Sequence, residues 1–170
     1  KTVSESLTND DELYKMVCTK LDCSGEAYAA YETVLHSNPQ YVMDFNARLR
    51  QIQAGWANGK LSSAEASKAL DRMLRDEKNK EYRDRIYYTL AEIALKDGQK
   101  KEGMVFLRKS LDANGTDPVQ RAEAYLKLAR LYLFLKNTDS SLWCTNAALD
   151  AFSIVGKNKF KADVYKMISR

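Results

Sequence analysis

The sequence predicts an all-α protein made of short helical hairpins. Apolar residues recur every three or four positions along most of the chain, which is the spacing of one helical face. The 170 residues include only seven glycines and two prolines, and most of these fall where one amphipathic segment ends and another begins. Hydrophobic residues make up 45% of the chain and charged residues 29%, a balance typical of folded rather than disordered proteins.

The clearest hairpin is predicted in residues 87–111, on either side of Gly98. The residues expected on its buried faces are Tyr87, Leu90, Ala91 and Ala94 before that glycine, and Gly103, Leu107, Ser110 and Leu111 after it. Small residues at Ala91 and Gly103 predict that the two helices approach each other closely. A hairpin of this size leaves apolar surface uncovered, so it requires similar neighbours.

The chain is predicted to form a single domain of about four hairpins and a C-terminal helix, at about 10–38, 41–79, 84–114, 119–155 and 158–169. In the first hairpin, Asn9 or Asp10 caps a helix that runs to about residue 21. Residues 22–25 form a turn. The helix that follows, 26–36, ends before Pro39, because the residue preceding a proline avoids helical geometry.

The second hairpin begins with a helix over 41–57, whose predicted apolar stripe is Phe45, Leu49, Ile52 and Trp56. An Asn-Gly-Lys turn at 58–60 follows. Ser62 or Ser63 then caps a helix that buries Ala66, Leu70, Met73 and Leu74. The alternating charges of residues 75–85 predict a solvated helix end and loop.

The fourth hairpin starts at a predicted cap, Asp117, with Pro118 in the first helical turn, where a missing amide hydrogen has no effect. Gly156 ends this hairpin. The C-terminal helix is predicted to pack on it through Phe160, Val164 and Ile168.

The spacing within residues 87–111 resembles the tetratricopeptide repeat (TPR), a helical hairpin of about 34 residues. A second copy, 38 positions later, includes Tyr125, Leu128, Ala129 and Tyr132, and residues 113–118 hold the insertion of about four residues. This copy departs from the family by placing Lys136 where glycine is usual. A third match, further upstream, includes Tyr31, Leu35 and the closing Pro39. The resemblance implies a right-handed α-α superhelix.

Sites for enzymatic chemistry are missing from the sequence. His36 is the only histidine, and together with Cys18 and Cys23 it lacks zinc spacing and a fourth ligand. The phosphate-binding motifs GxGxxG and GxxxxGK[ST] and the nucleophile motif GxSxG do not occur. The sequence therefore predicts a non-enzymatic protein without a cofactor or metal. Cys18 and Cys23 either pair across a helix end in an oxidising compartment or are free thiols.

The TPR resemblance also implies a partner site. In that family the first helices of successive repeats line a concave groove that binds peptides. Carried over by position, the groove would contain Asn46, Arg50, Gln53, Arg85, Tyr88, Glu92, Leu95, Lys96, Glu123, Leu126, Lys127, Arg130, Leu133 and Phe134. The alternative for any one of these residues is an ordinary solvated face or a contact between neighbouring repeats.

A protein or peptide is the predicted partner of this groove. The alternative is a helical-repeat module that binds RNA, one base per repeat. Such modules need a basic stripe and recurrent stacking positions, whereas this chain has a net charge of only +4 and acidic residues throughout. No apolar run approaches the ~20 residues that a membrane-spanning helix needs, so direct membrane insertion is not expected.

Residues 39–111 have a narrower resemblance, carried by 45–48, 73–79 and 82–88. This part of the chain is similar to a TPR lipoprotein family of Bacteroidetes associated with gliding motility and type IX secretion. The resemblance implies a protein of the cell envelope, held by lipid at the periplasmic face of the outer membrane. Because the chain begins at Lys1 without methionine, we expect it to be an internal piece of that protein. A TPR adaptor unrelated to secretion is the alternative.

Overall fold

The computed structural model describes residues 23–113, 115 and 117–153. Within these residues the protein is all-helical and contains no strand, which confirms the predicted fold class. The helices are α1 (Cys23–His36), α2 (Tyr41–Ala57), α3 (Ser63–Arg75), a 3₁₀ helix (Glu77–Tyr82), α4 (Arg83–Lys96), α5 (Lys100–Asp112), α6 (Pro118–Phe134) and α7 (Thr138–Ser153). The helices predicted at about 10–21 and 158–169 lie outside the described residues.

Two compact units divide the chain, with the boundary between Ala69 and Leu70 inside α3. In the first unit, α1 packs against α2. Gly55 of α2 allows this contact, because a Cβ atom there would lie 2.9 Å from both Tyr28 Cε2 and Leu61 Cδ1. The predicted apolar stripe of α2 is confirmed at its three buried residues, Phe45, Leu49 and Ile52. The organisation of the chain as a single domain stays a prediction.

The start of α3 confirms the predicted serine cap. The Ser62 hydroxyl accepts a hydrogen bond from the Glu65 amide at 3.2 Å, and the Glu65 carboxylate accepts one from the Ser62 amide at 2.9 Å. This reciprocal pair is a capping box, which satisfies two amide groups that lack partners within the helix.

Two local predictions were wrong. Helix α1 begins at Cys23, so residues 23–25 form the first turn of the helix and not a separate turn. Backbone amides in a first helical turn have no intrahelical acceptor, so these residues can join the helix without forming further amide hydrogen bonds within it. The charged run 75–85 is not only a solvated loop, because it contains the 3₁₀ helix and the start of α4. Within it Asn79 is buried, and its side-chain amide donates a hydrogen bond to the Met73 carbonyl at 2.8 Å.

The second unit contains two packed hairpins, α4 with α5 and α6 with α7, and α5 packs against α6. Their shared core is a cluster of apolar residues that includes Ala91, Leu107, Leu128 and Cys144. The close approach predicted at Gly103 is confirmed: a Cβ atom there would lie 2.5 Å from Leu95 Cδ2. The α6–α7 hairpin has a second apolar cluster around Phe152.

Both hairpin turns in the second unit use a left-handed residue after the first helix. Gly98 has φ +78°, and Lys136, which occupies the same position in the next hairpin, has φ +58°. In each turn this residue and the next donate hydrogen bonds to the final helical turn: Gly98 to Leu95, Gln99 to Ala94, Lys136 to Leu133 and Asn137 to Tyr132. This is the Schellman arrangement, in which glycine is usual.

We expect Lys136→Gly to stabilise the protein by about 1 kcal/mol, because a side chain disfavours the left-handed conformation that this turn requires. The free energy of unfolding in urea would measure the change. The reciprocal variant Gly98→Lys is the control. A Cβ atom at Gly98 has no neighbour within 4 Å, so this variant tests backbone conformation alone and should destabilise by a similar amount. A less stable Lys136→Gly variant would contradict the prediction.

A candidate partner-binding face on α4 and α6

Helices α4 and α6 lie side by side and are joined by a polar network. The Tyr88 hydroxyl donates a hydrogen bond to the Glu123 carboxylate at 3.2 Å, and Lys127 Nζ lies 2.5 Å from Glu92 Oε1. Lys127 Nζ also lies 4.6 Å from the centre of the Tyr88 ring, within reach of a cation–π interaction. We call these four residues the Tyr88 network.

The surroundings of the Tyr88 hydroxyl keep it protonated. Burial, followed by the carboxylates of Glu123 and Glu92, raises the pKa of Tyr88 well above its ordinary value. The hydroxyl therefore remains a hydrogen-bond donor. Because Glu92 and Lys127 are both about 30% exposed, their ion pair is only partly screened by water. The network is thus suited to holding α4 and α6 in one register.

An exposed apolar edge lies at the C-terminal end of α6. Leu133 is 46% exposed and Phe134 is 64% exposed, and the following Leu135 is also exposed. Arg130 is exposed on the same helix, and Lys96 is exposed at the end of α4. Lys100 Nζ, from the start of α5, lies 3.3 Å from the centre of the Phe134 ring. We use the name partner-binding face for a candidate set of residues: Lys96, Lys100, Arg130, Leu133 and Phe134.

The predicted groove residues therefore have different positions in the structure. Tyr88 is 9% exposed and packs in the shared core, so its ring does not face an open groove as predicted. Glu92, Glu123 and Lys127 are half-buried between the helices. Lys96, Arg130, Leu133 and Phe134 are exposed. Lys100 was missed, because it lies on the second helix of its hairpin and the family pattern points to the first. The close contact between Lys100 and Phe134 depends on tertiary packing, so no local sequence signal could have identified it.

The position assigned to Leu126 was wrong. Leu126 is 6% exposed and packs in the core cluster with Ala148 and Phe152, so it is not a groove residue. Arg85 is half-buried, with its guanidinium 5.9 Å from the centre of the Tyr82 ring. Leu95 is also half-buried and packs against the shared core.

Three predicted groove residues belong to the first unit. Arg50 is exposed and donates a hydrogen bond to the Gln53 side chain at 3.3 Å. Asn46 is half-buried on the same helix.

The described part of the chain contains neither a cluster of metal-ligating side chains nor a membrane-spanning helix. No group of three or more histidine, cysteine, aspartate or glutamate side chains there is placed to hold a metal ion. None of the described helices is both long enough and apolar enough to cross a bilayer.

The packing of α4 on α5, with α6 beside α4, is the arrangement expected of helical repeats. Residues 84–117 match the family model of the tetratricopeptide repeat. This match covers α4, α5 and the loop after them, and it supports the TPR family for this hairpin. None of the curated proteins compared with the chain is similar enough to count as a relative. TPR repeats typically bind protein partners, which is the coarse function that the match indicates.

Gly115, which follows α5, lies close to the buried carboxylate of Asp84. Asp84 accepts a hydrogen bond from the Gln120 side chain at 3.2 Å, and a Cβ atom at Gly115 would lie 1.9 Å from Asp84 Oδ2. Burial raises the pKa of Asp84, with Asp117 adding to the increase and Arg85 opposing it. Because its pKa is higher in the folded protein, Asp84 ionises less readily there than in the unfolded chain. The free energy of unfolding therefore falls as the pH rises above the pKa that Asp84 has in the unfolded chain.

We expect Asp84→Asn to remove this pH dependence. The variant should gain stability relative to the unmodified protein as the pH rises from about 4 to 8, because asparagine cannot ionise while it retains an acceptor for Gln120. Urea unfolding at both pH values would measure the difference. Asp71→Asn, at an exposed position on α3, is the matched control. If the stability of the two variants depends on pH in the same way, burial of Asp84 does not cause the pH dependence.

Proposed function

We propose that this chain is a non-enzymatic protein-interaction scaffold, and that its partner-binding face binds a peptide segment of another protein. The observation that supports this most is the exposed edge of Arg130, Leu133 and Phe134, with Lys100 over the Phe134 ring. The Tyr88 network holds α4 and α6, which carry four of the five residues of this face, so most of the surface is formed before the partner arrives. Preorganisation of this kind favours affinity because less conformational freedom is lost on binding.

The chemistry of the face suggests what the partner segment contains. Lys100 lies over the exposed Phe134 ring, and Arg130 lies one helical turn before Leu133 and Phe134 on α6. The acidic residues of the Tyr88 network already contact tyrosine or lysine. An apolar side chain with acidic neighbours would therefore complement this surface. Arginine and aromatic residues are also the types that most often dominate binding energy at interfaces.

Site-specific photo-crosslinking would test this proposal. The photoreactive residue p-benzoylphenylalanine would replace Phe134 in one sample and Asn146, an exposed residue of α7, in another. We expect one protein partner to be crosslinked at position 134 and not at position 146. Arg130→Glu should weaken its binding about tenfold, because charge reversal at an interface places like charges together.

The matched charge reversal is Arg72→Glu, on the exposed surface of α3, and it should leave binding unchanged. Equal crosslinking at positions 134 and 146, or binding that is insensitive to Arg130→Glu, would move the site away from this face.

We further propose that the scaffold works in a bacterial cell envelope, at the periplasmic face of the outer membrane, as part of a lipoprotein linked to type IX secretion and gliding. The support for this is the resemblance of residues 45–48, 73–79 and 82–88 to that lipoprotein family. If so, the protein containing this chain should fractionate with the outer membrane, and its crosslinked partner should be a component of the secretion machinery. Recovery in the cytosol would exclude this placement.

A further inference from the structure

A cleft separate from the partner-binding face opens between α5 and α7, with α6 as its floor. Its volume is about 380 Å³, which is in the range of sites that bind ligands or single side chains. The described residues that line it lie on α5, α6 and α7, and none of these belongs to the partner-binding face or to the Tyr88 network.

The interior of the cleft is apolar and aromatic. Leu128 and Cys144 are buried at its base, and Tyr125, Tyr132 and Trp143 are also in its lining. The Tyr125 and Trp143 rings meet edge to face, with centroids 5.8 Å apart and planes at 77°. Burial raises the pKa of the Cys144 thiol, so the base of the cleft stays uncharged near neutral pH. The cleft therefore offers space for one large apolar side chain.

Trp143 forms one wall of this cleft, yet 64% of its surface is exposed. Its neighbour Leu142 is 53% exposed, so α7 presents two adjacent large apolar side chains to solvent. Tryptophan is among the residues that most often carry binding energy when a partner covers them.

The charges in the lining indicate the sign of the ligand. Asp112 and Asp139 are exposed, and neither forms an ion pair within the described ranges. Asp112 lies in the last turn of α5, where the helix dipole disfavours a negative charge. Helix stability therefore does not explain why an aspartate occupies this position. Arg108 also lines the cleft, where its guanidinium donates a hydrogen bond to the neutral Tyr132 hydroxyl and lies 5.8 Å from the centre of that ring. Its positive charge remains, but the two carboxylates outnumber it, so the charge of the described lining is negative on balance.

We propose that this cleft binds a peptide segment of a partner protein in which a large apolar side chain stands beside lysine or arginine. The apolar side chain contacts Leu128 and the aromatic wall. The basic side chain pairs with Asp112 or Asp139 and lies near the Trp143 ring, where a cation–π contact adds to the attraction. This site is independent of the partner-binding face, where the surrounding charges favour an acidic segment.

Binding of three blocked tripeptides would test this inference. They are acetyl-Lys-Phe-Lys-amide, acetyl-Glu-Phe-Glu-amide and acetyl-Lys-Ala-Lys-amide. The chain has two tryptophans, so its ¹H–¹⁵N NMR spectrum contains two indole signals, and Trp56 in the first unit is the internal reference. We expect Lys-Phe-Lys to shift the Trp143 indole signal in a saturable way, with at least tenfold higher affinity than the other two peptides.

A charge-neutral variant, Asp112→Asn with Asp139→Asn, should reduce Lys-Phe-Lys affinity at least fivefold, while the exposed control Asp71→Asn should not. Equal binding of Glu-Phe-Glu would overturn the charge assignment. Equal binding of Lys-Ala-Lys would overturn the apolar pocket. Absence of a Trp143 shift up to millimolar peptide would overturn the site itself, and none of these results would bear on crosslinking at position 134.

Discussion

Leu128→Asp is expected to abolish cooperative folding of the second unit. Leu128 is 3% exposed and packs in the shared core with Ala91, Leu107 and Cys144. An ionised carboxylate there would lack a partner, and burying it costs several kcal/mol in addition to the lost leucine contacts. The total is comparable to the entire stability of a typical domain, about 5–15 kcal/mol. Loss of the thermal transition in circular dichroism would be the readout.

The matched control for this variant is Leu133→Asp, which introduces the same side chain five residues later on α6. Since Leu133 is 46% exposed, its variant should remain folded and lose at most about 1 kcal/mol. Leu90→Asp, at an equally buried position on α4, should behave like Leu128→Asp. An undiminished melt for both core variants would show that the assigned helical faces are wrong.

Gly103→Leu is expected to destabilise the protein by about 3 kcal/mol, because it forces α4 and α5 apart. A Cβ atom at this position would lie 2.5 Å from Leu95 Cδ2, 2.6 Å from Leu95 Cγ and 3.5 Å from the Ala91 carbonyl oxygen. The remaining carbons of leucine would have to enter the same space. The free energy of urea unfolding would measure the effect.

Leu95 provides a sharper test of this packing. Gly103→Ala alone should destabilise by about 1 kcal/mol, because the clash with Leu95 exceeds the gain in helix propensity. In a Leu95→Ala background the clash is removed, so the same Gly103→Ala change should stabilise, by up to about 1 kcal/mol. A double-mutant cycle measures this change of sign. Additive effects would mean that Leu95 does not restrict position 103.

Several elements of the fold could be predicted because their causes lie within a few residues of one another. The Ser62 capping box and the Asp117 cap, whose side chain accepts hydrogen bonds from the Val119 and Gln120 amides, depend only on neighbouring backbone groups. The apolar stripe of α2 and the turn at Gly98 depend on helical period and on backbone conformation. The 3₁₀ helix was missed because its buried residue, Asn79, is satisfied by the more distant Met73 carbonyl.

The candidate sites were less predictable, because they depend on contacts across the chain. Tyr88 and Glu123 are 35 residues apart, as are Glu92 and Lys127, and only the packing of α4 beside α6 brings them together. Leu126 and Arg130 both follow the family pattern on α6, yet Leu126 is covered by the Phe152 cluster and Arg130 is exposed. The cleft between α5 and α7 has no sequence signature, since three separate helices line it.

The sequence by itself determined the all-helical class and most of the helix ends and turns, because amphipathic period, caps and left-handed turn residues act locally. Only the tertiary structure decided which side chains pair, which are buried and which remain exposed. Lys136 illustrates both levels. Its place in the repeat could be read from the sequence, but its left-handed backbone is imposed by closure of the α6–α7 hairpin, against the preference of lysine itself.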